Sequence, residues 1–357
     1  MGRVFAAFIA LLTVTFATPA GAEPGPAPIE VRVVLVTTWE YEPQGKSVMG
    51  ELKAWRERWP LPVTLPFPAG NHTLHYDPKS QVLAIVTGMQ TGRAAASIMA
   101  LGLDPRFDLT HAYWLVAGTA GTDPKTASIG SAAWSRWVVD GDLGQEIDAR
   151  EIPADWPTGI FPSGRTAPYQ LPAPPGLSFA GNTAFPLNPS LVRWAYEMSR
   201  DTKLLDDEKL AATRKPYSGQ GAKQPFVLEG EGLMSARFRY GARVTEWSQR
   251  WVDYWTGGKG VFAMAAEEDA GIMQGLAQLA GAGKARLDRV LVLRAASDYT
   301  VGPPGMSAIE LMLSEAKKGP VGTRHALENL YRVASPVVRY LTDNWAVTRD
   351  TVPGKQH

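Results

Sequence analysis

The feature of the sequence that most restricts its fold is a series of short, almost continuous apolar runs. A strand with one face in water alternates apolar and polar residues, whereas a strand covered on both faces is apolar at nearly every position. Helical patterns separate most of the runs, so the order of elements predicts a three-layer α/β/α fold with a central mixed sheet. The runs are Ile29–Thr37, Gln81–Thr87, Tyr113–Ala117, Val261–Ala266 and Arg289–Leu293.

Residues 1–22 have the three parts of a secretory signal peptide. Arg3 supplies a positive charge, Val4–Phe16 is the apolar core, and residues 20–22 (Ala-Gly-Ala) form a small-residue cleavage motif before Glu23. We therefore expect an exported protein, periplasmic or secreted, in which residues 23–357 form a single domain. No later segment reaches the ~18 uninterrupted apolar residues that a membrane helix needs, so we expect no stable membrane insertion.

The charge balance argues against a nucleic-acid partner. The chain has 36 Lys and Arg against 35 Asp and Glu, and removing residues 1–22 takes away one arginine and no acid, which leaves 35 of each. Nucleic-acid binding depends on an excess of basic side chains. The chain has no cysteine, and its one closely spaced histidine pair, His72 and His75, lies in a polar segment. We therefore expect neither a metal site nor a cofactor.

Candidate site residues follow the apolar runs, at the point where each run ends. Open α/β sheets bind their ligands at the carboxyl ends of their strands. The first run leads into residues 38–42 (Thr-Trp-Glu-Tyr-Glu), the second into Gly88 and Met89, and the third into residues 118–121 (Gly-Thr-Ala-Gly). Glycine-rich turns let a ligand approach the backbone closely and leave N–H groups free to bind it.

Three consecutive acids, Glu267, Glu268 and Asp269, lie between the fourth run and a helix of small residues. A helix N-terminus stabilises each carboxylate by roughly 0.3–1 kcal/mol, but adjacent carboxylates also repel each other. Taken alone, the three acids fit a solvated helix start as well as they fit a binding site. Asp298, preceded by Ser297, follows the last run and places an acid at another strand end.

Two regions leave alternatives open. Residues 141–181 are rich in proline and break the pattern of runs and helices. Such an irregular insertion forms either a lid over a site or a surface elaboration. The aromatic helix predicted for residues 242–256 packs either in the core or at an interface between copies of the chain, so a homo-oligomer stays an open alternative.

In their order along the chain, these motifs resemble the nucleoside phosphorylase and nucleosidase superfamily and, more closely, the purine nucleoside permease family. The resemblance runs over most of the chain after the signal peptide and implies the phosphorylase/hydrolase-like α/β fold. The motifs that carry it are residues 87–89 (Thr-Gly-Met), 118–121, 142–153 (Asp-Leu-Gly-Gln-Glu-Ile-Asp-Ala-Arg-Glu-Ile-Pro), 156–159 (Trp-Pro-Thr-Gly), 184–188 (Ala-Phe-Pro-Leu-Asn), 256–260 (Thr-Gly-Gly-Lys-Gly), 264–269 (Met-Ala-Ala-Glu-Glu-Asp) and 293–299 (Leu-Arg-Ala-Ala-Ser-Asp-Tyr).

The superfamily resemblance implies roles for three acids. Glu268 matches the glutamate that binds the ribose 2′- and 3′-hydroxyls, because a carboxylate accepts two hydrogen bonds from a vicinal diol. Asp298 matches the aspartate that protonates purine N7, a general acid role that the asparagine common in the permease family would not supply. Glu42 matches the first-strand glutamate that activates water, with Glu40 as the alternative. The substrate-binding residues that the resemblance implies are Gly88, Met89, Gly118, Thr119, Ala120, Gly121, Glu267 and Ser297.

The chain departs from the phosphorylases where they bind phosphate. Those enzymes use one arginine after the first strand and another just before the third-strand glycine turn. Here two carboxylates, Glu40 and Glu42, follow the first run, and Val116-Ala117 precedes the turn. Carboxylates repel phosphate, so the departures imply hydrolysis rather than phosphorolysis. Glu267 is a further departure, since nucleosidases commonly place an apolar methionine there.

We therefore expect a purine nucleoside N-ribosyl hydrolase that releases bases outside the cytoplasm. Two alternatives stay open. One is a nucleoside-binding protein that assists the uptake of purine nucleosides, and the other is a phosphate-dependent nucleoside phosphorylase.

Overall fold

The computed structural model describes residues 26–43, 47–171 and 183–355; the signal peptide predicted for residues 1–22 lies outside them. The strands in the described residues are β1 (Ile29–Glu30), β2 (Val33–Thr37), β3 (Glu40–Tyr41), β4 (Met49–Gly50), β5 (Val63–Leu65), β6 (Leu74–Asp77), β7 (Val82–Val86), β8 (Phe107–Asp108), β9 (Tyr113–Thr122), β10 (Ala132–Trp134), β11 (Trp137–Asp140), β12 (Gln145–Glu146), β13 (Ile160–Phe161), β14 (Ala184–Pro186), β15 (Val227–Glu229), β16 (Glu231–Met234), β17 (Phe262–Ala266) and β18 (Val290–Tyr299). The α-helices are α1 (Lys53–Arg58), α2 (Thr91–Gly102), α3 (Pro189–Ser199), α4 (Glu208–Arg214), α5 (Ala242–Thr256), α6 (Asp269–Gly281), α7 (Ala308–Lys318), α8 (Thr323–Asp343) and α9 (Trp345–Thr348).

A mixed sheet of 12 strands forms the centre of the fold, with β9 as its most connected strand. One edge of β9 pairs in parallel with β18 along almost its whole length. Its other edge pairs in parallel with β2 near its start and antiparallel with β17 near its end. Every residue of β2, β7 and β18 is buried, as a sheet covered on both faces requires. The central mixed sheet and its flanking helices confirm the predicted α/β fold.

Two central strands are longer than the apolar runs that predicted them. The third run ends at Ala117, but β9 continues to Thr122, so residues 118–121 are strand residues and their prediction as a turn was wrong. The last run ends at Leu293, but β18 continues to Tyr299. Pairing between the two strands holds their small residues in the sheet, and a β-bulge between Ala296 and Asp298 interrupts the register at the end.

Close contact between helices α2 and α6 positions the start of α6. Gly271 lies against the backbone of Thr91, and a Cβ atom on Gly271 would be 2.1 Å from the Thr91 carbonyl oxygen. Gly102 lies in the same way against the side chain of Leu279. Only glycine permits this approach, because any larger residue would push the two helix backbones apart. The Thr91 hydroxyl also donates a hydrogen bond of 2.8 Å to the Glu267 carbonyl, which joins the two helix starts.

The segment after β2 differs from its prediction. The sequence from Ser47 to Trp59, which ends before Pro60, predicts a helix. In the structure Met49 and Gly50 instead form β4, which pairs with β3 in a short hairpin. Helix α1 begins only at Lys53, and Glu51 lies buried in the turn between hairpin and helix. Gly50 packs against the Glu40 side chain in this hairpin, which leaves no room for a Cβ atom.

The irregular insertion predicted for residues 141–181 lies partly within the described residues. Between residues 141 and 171 the two-residue strands β12 and β13 pair antiparallel, and turns and bends make up most of the rest. Residues 172–181 lie outside the described part of the chain. None of the described helices is both long and apolar enough to cross a membrane.

Candidate functional site

A cavity of about 290 Å³ opens where β2, β17 and β18 end beside the second half of β9. Its wall combines several acids with the partly exposed apolar side chains of Met49, Met89 and Phe238. A concave site with a few converging polar groups is the usual form of a small-molecule site. The lining residues are Thr38, Trp39, Met49, Glu51, Met89, Thr119, Ala120, Gly121, Leu233, Ser235, Arg237, Phe238, Arg239, Tyr240, Ala265, Ala266, Glu267, Glu268, Arg294, Ser297, Asp298, Thr300, Pro320 and Thr323.

Arg294 is the fully buried cation of this cavity. Its Nε atom donates to Asp269 Oδ2 at 3.0 Å, and its Nη2 atom donates to Glu268 Oε2 at 2.9 Å and also to Asp269 Oδ1. Its Nη1 atom donates to the Thr119 carbonyl at 2.9 Å. Burial disfavours the charged guanidinium, but the charges of Asp269, Glu268 and Glu51 outweigh burial and raise the pKa of Arg294. Gly118 lies directly against the guanidinium, which would be 2.3 Å from a Cβ atom there.

Glu51 is a buried carboxylate that accepts hydrogen bonds from two strand ends. Its Oε2 atom accepts from the Thr38 N–H at 2.6 Å, the Thr38 hydroxyl at 2.9 Å and the Trp39 N–H at 3.4 Å. Its Oε1 atom accepts from the Thr119 N–H at 2.7 Å and the Thr119 hydroxyl at 3.1 Å. Burial raises the pKa of Glu51 to about 7, although Arg294 and the backbone donors favour its ionised form.

Glu268 and Glu267 both line the cavity, but they differ in their partners. Glu268 is held by Arg294 through Oε2, and its Oε1 atom accepts the Gln90 N–H at 3.4 Å. Glu267 is 7% exposed, and no residue in the described part of the chain forms a hydrogen bond or ion pair with its carboxylate. Burial and then the negative charge of Glu268 raise the pKa of Glu267 to about 7.

Asp298 lies deep in the cavity at the end of β18. The Ser297 hydroxyl donates to Asp298 Oδ1 at 2.6 Å and also lies 3.2 Å from the Ala120 carbonyl. Burial raises the pKa of Asp298, and only the Ser297 hydrogen bond opposes this shift, so the site favours the protonated acid. Gly121 lies opposite, where a Cβ atom would be 3.2 Å from Asp298 Oδ2.

A second acid lies beyond the cavity wall on the Asp298 side. Tyr240 lines the cavity, and its hydroxyl donates a hydrogen bond to Glu315 on α7. Burial, followed by the charge of Asp298, raises the pKa of Glu315 to about 7. The Asp298 end of the cavity therefore has two acids near it, Asp298 and Glu315.

The structure brings most of the predicted site residues together. The predicted residues that line the cavity are Met89, Thr119, Ala120, Gly121, Glu267, Glu268, Ser297 and Asp298. Gly88 and Gly118 do not line it: Gly88 packs against Asn71, and Gly118 supports Arg294 from behind. Asp269, the third of the consecutive acids, begins α6 and pairs with Arg294.

The structure does not bring Glu42 to the cavity. Its carboxylate forms an ion pair with Arg56 and lies 3.3 Å from His72 Nδ1. The alternative, Glu40, does not line the cavity either: it accepts hydrogen bonds from the Ser47 hydroxyl and, at 3.0 Å, from the Leu52 N–H. The hairpin of β3 and β4 holds both acids away from the cavity, whereas Glu51, which follows the hairpin, lines it.

The described residues contain no group of three or more histidines, cysteines and acids arranged to hold a metal ion. His72 instead lies beside Glu42, and His75 is buried in β6.

The chain has the fold of the nucleosidases. A methylthioadenosine/S-adenosylhomocysteine nucleosidase of Helicobacter pylori superposes with a TM-score of 0.51 at 13% identity, over 89% of this chain and 99% of that one. The corresponding nucleosidase of Streptococcus pneumoniae has a TM-score of 0.50 at 15% identity, over 88% of this chain and 98% of its own. At such low identity the likeness concerns the fold alone.

The sequence shows to which family the chain belongs. A profile of the purine nucleoside permeases matches residues 30–353, and the chain belongs to this family. A Schizosaccharomyces pombe protein named "Probable purine nucleoside permease" is 28% identical over 279 residues, which cover 76% of this chain and 79% of that protein. The purine nucleoside permease of Candida albicans is 28% identical over 277 residues, which cover 76% of this chain and 66% of the relative.

Proposed function

We propose that the protein cleaves the N-glycosidic bond of purine nucleosides by hydrolysis. The observation that carries the proposal is the arrangement of acids around one cavity. Glu51 and Glu268 lie on the Arg294 side, and Asp298 lies apart from that arginine. This division supplies a carboxylate for water, a carboxylate for the sugar and an acid for the leaving base. The family name and the nucleosidase fold point to the same class of substrate.

Glu268 and Asp298 would hold the two halves of the nucleoside. Arg294 fixes one oxygen of Glu268, and the other oxygen has only a 3.4 Å contact with the Gln90 N–H, so the carboxylate can accept hydrogen bonds from a ribose diol. Asp298 has a raised pKa and would donate its proton to N7 of the purine. Proton donation to a leaving group is general acid catalysis and contributes about 10²–10⁴-fold.

Glu51 would take the role that the sequence predicted for Glu42. As the C1′–N9 bond breaks, its electron pair goes to the purine, whose N7 takes the Asp298 proton. Water forms the new bond to C1′ and gives its proton to the Glu51 carboxylate. With a pKa of about 7, Glu51 has a basicity matched to neutral pH. The proton on Glu51 then returns to solvent and Asp298 is reprotonated, so the net reaction is nucleoside and water giving ribose and purine.

The charges favour water over phosphate as the nucleophile. Arg294 already binds Asp269, Glu268 and the Thr119 carbonyl, so its donors are engaged. Glu51 and Glu268 would repel a phosphate anion placed beside that arginine. Phosphorolysis would need a cation that these acids do not already neutralise.

A second candidate function is the binding of purine nucleosides in support of their uptake. The observation that favours it is the name of the family and of its relatives, which are permeases. In either case we propose an exported protein, on the basis of the signal-peptide pattern of residues 1–22.

The experiment that tests the proposal measures the release of free base from inosine and adenosine by purified protein, with and without phosphate. We expect release without phosphate, and a drop of about 10²–10⁴-fold in kcat on adenosine for D298N because the general acid is lost. Strict dependence on phosphate would replace hydrolysis by phosphorolysis. Tight nucleoside binding without turnover would favour the uptake function.

A further inference from the structure

Asp298 has a second carboxyl group near it, on a helix none of whose residues lines the cavity. Glu315 lies on α7 and is half-buried, whereas Asp298 at the end of β18 is only 6% exposed. Tyr240 connects the two acids, because it lines the cavity as Asp298 does and its hydroxyl donates a hydrogen bond to the Glu315 carboxylate. Neither acid forms an ion pair with a basic side chain in the described part of the chain.

Backbone contacts hold Tyr240 between the end of β18 and the start of α7. The N–H of the next residue, Gly241, donates to the carbonyl of Thr300, directly after β18, at 2.8 Å. Gly241 has a φ of +105° and packs against Ala308, the first residue of α7, so that a Cβ atom on Gly241 would be 2.7 Å from the Ala308 Cβ. Only glycine fits this conformation and this spacing without strain. The position of the Tyr240 hydroxyl relative to both acids is therefore set by the backbone.

The basic side chains on the neighbouring elements have other partners. Arg237 and Arg239 of the loop that carries Tyr240 pair with Asp142, Arg324 and His325 at the start of α8 pair with Asp207, and Arg294 on β18 pairs with Glu268 and Asp269. Lys317 and Lys318 on α7 itself are exposed to solvent.

The remaining titratable groups around the two acids add no positive charge. The charges of both acids and of Glu267 reach Tyr240, and the charge of Glu315 also reaches Tyr217, in the segment after α4. Burial raises the pKa of both tyrosines, so they stay neutral and can only donate or accept hydrogen bonds. Ionising Asp298 and Glu315 together would thus place two negative charges near each other without a cation of their own.

Resting on the general acid role proposed above for Asp298, we propose that Asp298 and Glu315 form a carboxyl pair that shares one proton, with the proton on Asp298 and the charge on Glu315. Like charges at close range cannot both ionise easily, so one carboxyl of such a pair keeps its proton. The proton belongs on the more deeply buried acid, where a charge costs more. The hydrogen bond from Tyr240 stabilises the charge on Glu315. Glu315 is then a positioning residue, which acts on the substrate only through the proton that it keeps on Asp298.

The coupling between the two acids acts in both directions. Burial and then the charge of Asp298 raise the pKa of Glu315 to about 7. By reciprocity, the charge of Glu315 raises the pKa of Asp298. Asp298 therefore stays protonated to a higher pH beside an ionised Glu315 than it would beside a neutral residue. This keeps the proton donor available at a pH at which Glu51, whose pKa is also about 7, has become a base.

Titration of Asp298 in the protein without ligand tests the pair. Carbon-13 NMR of protein labelled at its aspartate carboxyl carbons follows this titration, and D298N assigns the resonance. E315Q removes the charge, while its amide oxygen still accepts the Tyr240 hydroxyl proton. We expect E315Q to lower the Asp298 midpoint by about one pH unit and to move the alkaline limb of kcat/KM for adenosine by the same amount. E315D keeps the charge and should stay closer to the unaltered protein. E246Q, which removes an exposed acid on α5 paired with Arg250, should change neither quantity.

The outcomes separate the carboxyl pair from the proposed hydrolysis. An unchanged Asp298 midpoint in E315Q overturns the pair, whether or not the protein cleaves adenosine. A midpoint that falls as far in E315D or E246Q as in E315Q overturns it as well, because the shift would not depend on the charge at position 315. A fall specific to E315Q without any release of base supports the pair and overturns hydrolysis. If thermal melting shows that E315Q does not fold, Y240F serves instead, and it should lower the midpoint in the same direction because the charge on Glu315 loses its hydrogen bond.

Discussion

Two groups of acids have opposite surroundings in the structure, although Glu51 of the second group follows Glu42 of the first after only eight intervening residues. The hairpin cluster consists of Glu40 and Glu42 with Arg56, His72 and Ser47, and each acid has its own partner. The cavity cluster consists of four buried acids, Glu51, Glu267, Glu268 and Asp269, and one buried cation, Arg294, which forms ion pairs with Glu268 and Asp269. The comparison teaches that the cavity differs from the hairpin in its excess of buried acids over buried cations.

The largest difference between the clusters is expected in catalysis. E51Q should lower kcat/KM for adenosine by about 10²–10⁴-fold, because the carboxylate that takes the proton from water is lost. E42Q should have nearly the same kcat/KM for adenosine as the unaltered protein, because Glu42 contacts Arg56 and His72 outside the cavity. Measurement of base release by both variants checks this, with thermal melting to confirm that each is folded. Equal losses would show that the hairpin cluster also acts on the substrate.

Stability should distinguish the arginines of the two clusters. R294Q leaves Glu268 and Asp269 buried without their cation and should lower the free energy of unfolding by about 3–5 kcal/mol. R56Q breaks a partly exposed ion pair and should cost about 0–1 kcal/mol. Urea unfolding of the two variants gives both values. A cost for R294Q as small as that for R56Q would mean that the cavity acids are neutral in the folded protein.

The pH dependence of the reaction should follow the cavity cluster. Glu51 must be ionised to accept a proton, so kcat/KM should rise about tenfold per pH unit up to pH about 7 and then level off. Activity should also fall when Asp298, whose pKa burial raises, loses the proton that it donates. E42Q should keep the acidic limb of the profile, and E51Q should abolish it. An acidic limb that survives in E51Q would assign the titration to another group.

The smallest expected effect is on the free energy of unfolding of the protein without a bound ligand. The pKa of Glu267 is about 7 in the folded protein against 4.5 as its ordinary value, so folding binds a proton between these pH values. Stability from this group is present below pH 4.5 and is lost as pH rises to about 7. E267Q should therefore raise the free energy of unfolding by about 1–2 kcal/mol at pH 8 and by almost nothing at pH 4. E42Q should instead lose part of an ion pair and show no such gain. Unfolding curves at the two pH values provide the test.

The sheet could be predicted because strands covered on both faces leave a local signature. The apolar runs indicated β2, β7, β9, β17 and β18, but they underestimated the length of β9 and β18. Gly118 to Gly121 and the alanines of β18 have little intrinsic strand preference, and pairing with distant strands keeps them in the sheet. Such pairing is a property of the fold and is not visible in a local pattern.

The site was predictable only in part, for a similar reason. Glu268 and Asp298 follow apolar runs, and this local order together with the superfamily resemblance singled them out; both line the cavity. Glu51 was missed because it falls in a segment predicted as helical, and its donors Thr38 and Thr119 are 13 and 68 residues away. The one local sign of its burial was its position directly before the apolar Leu52, which is buried in the same turn.

Because Gly271 has no side chain, α6 can lie directly against Thr91. The direction of the Glu267 and Glu268 carboxylates at the start of α6 depends on this contact. A methyl group at position 271 would separate α6 from α2, and the Glu267 carbonyl would lose its anchor on the Thr91 hydroxyl. Conversely, a ligand that binds the Glu268 carboxylate would hold the starts of α2 and α6 together, because Glu268 accepts the Gln90 N–H at the start of α2. Occupation of the cavity should therefore slow hydrogen exchange at the beginning of α2 as well as α6, so that two helices distant in sequence report on one bound molecule.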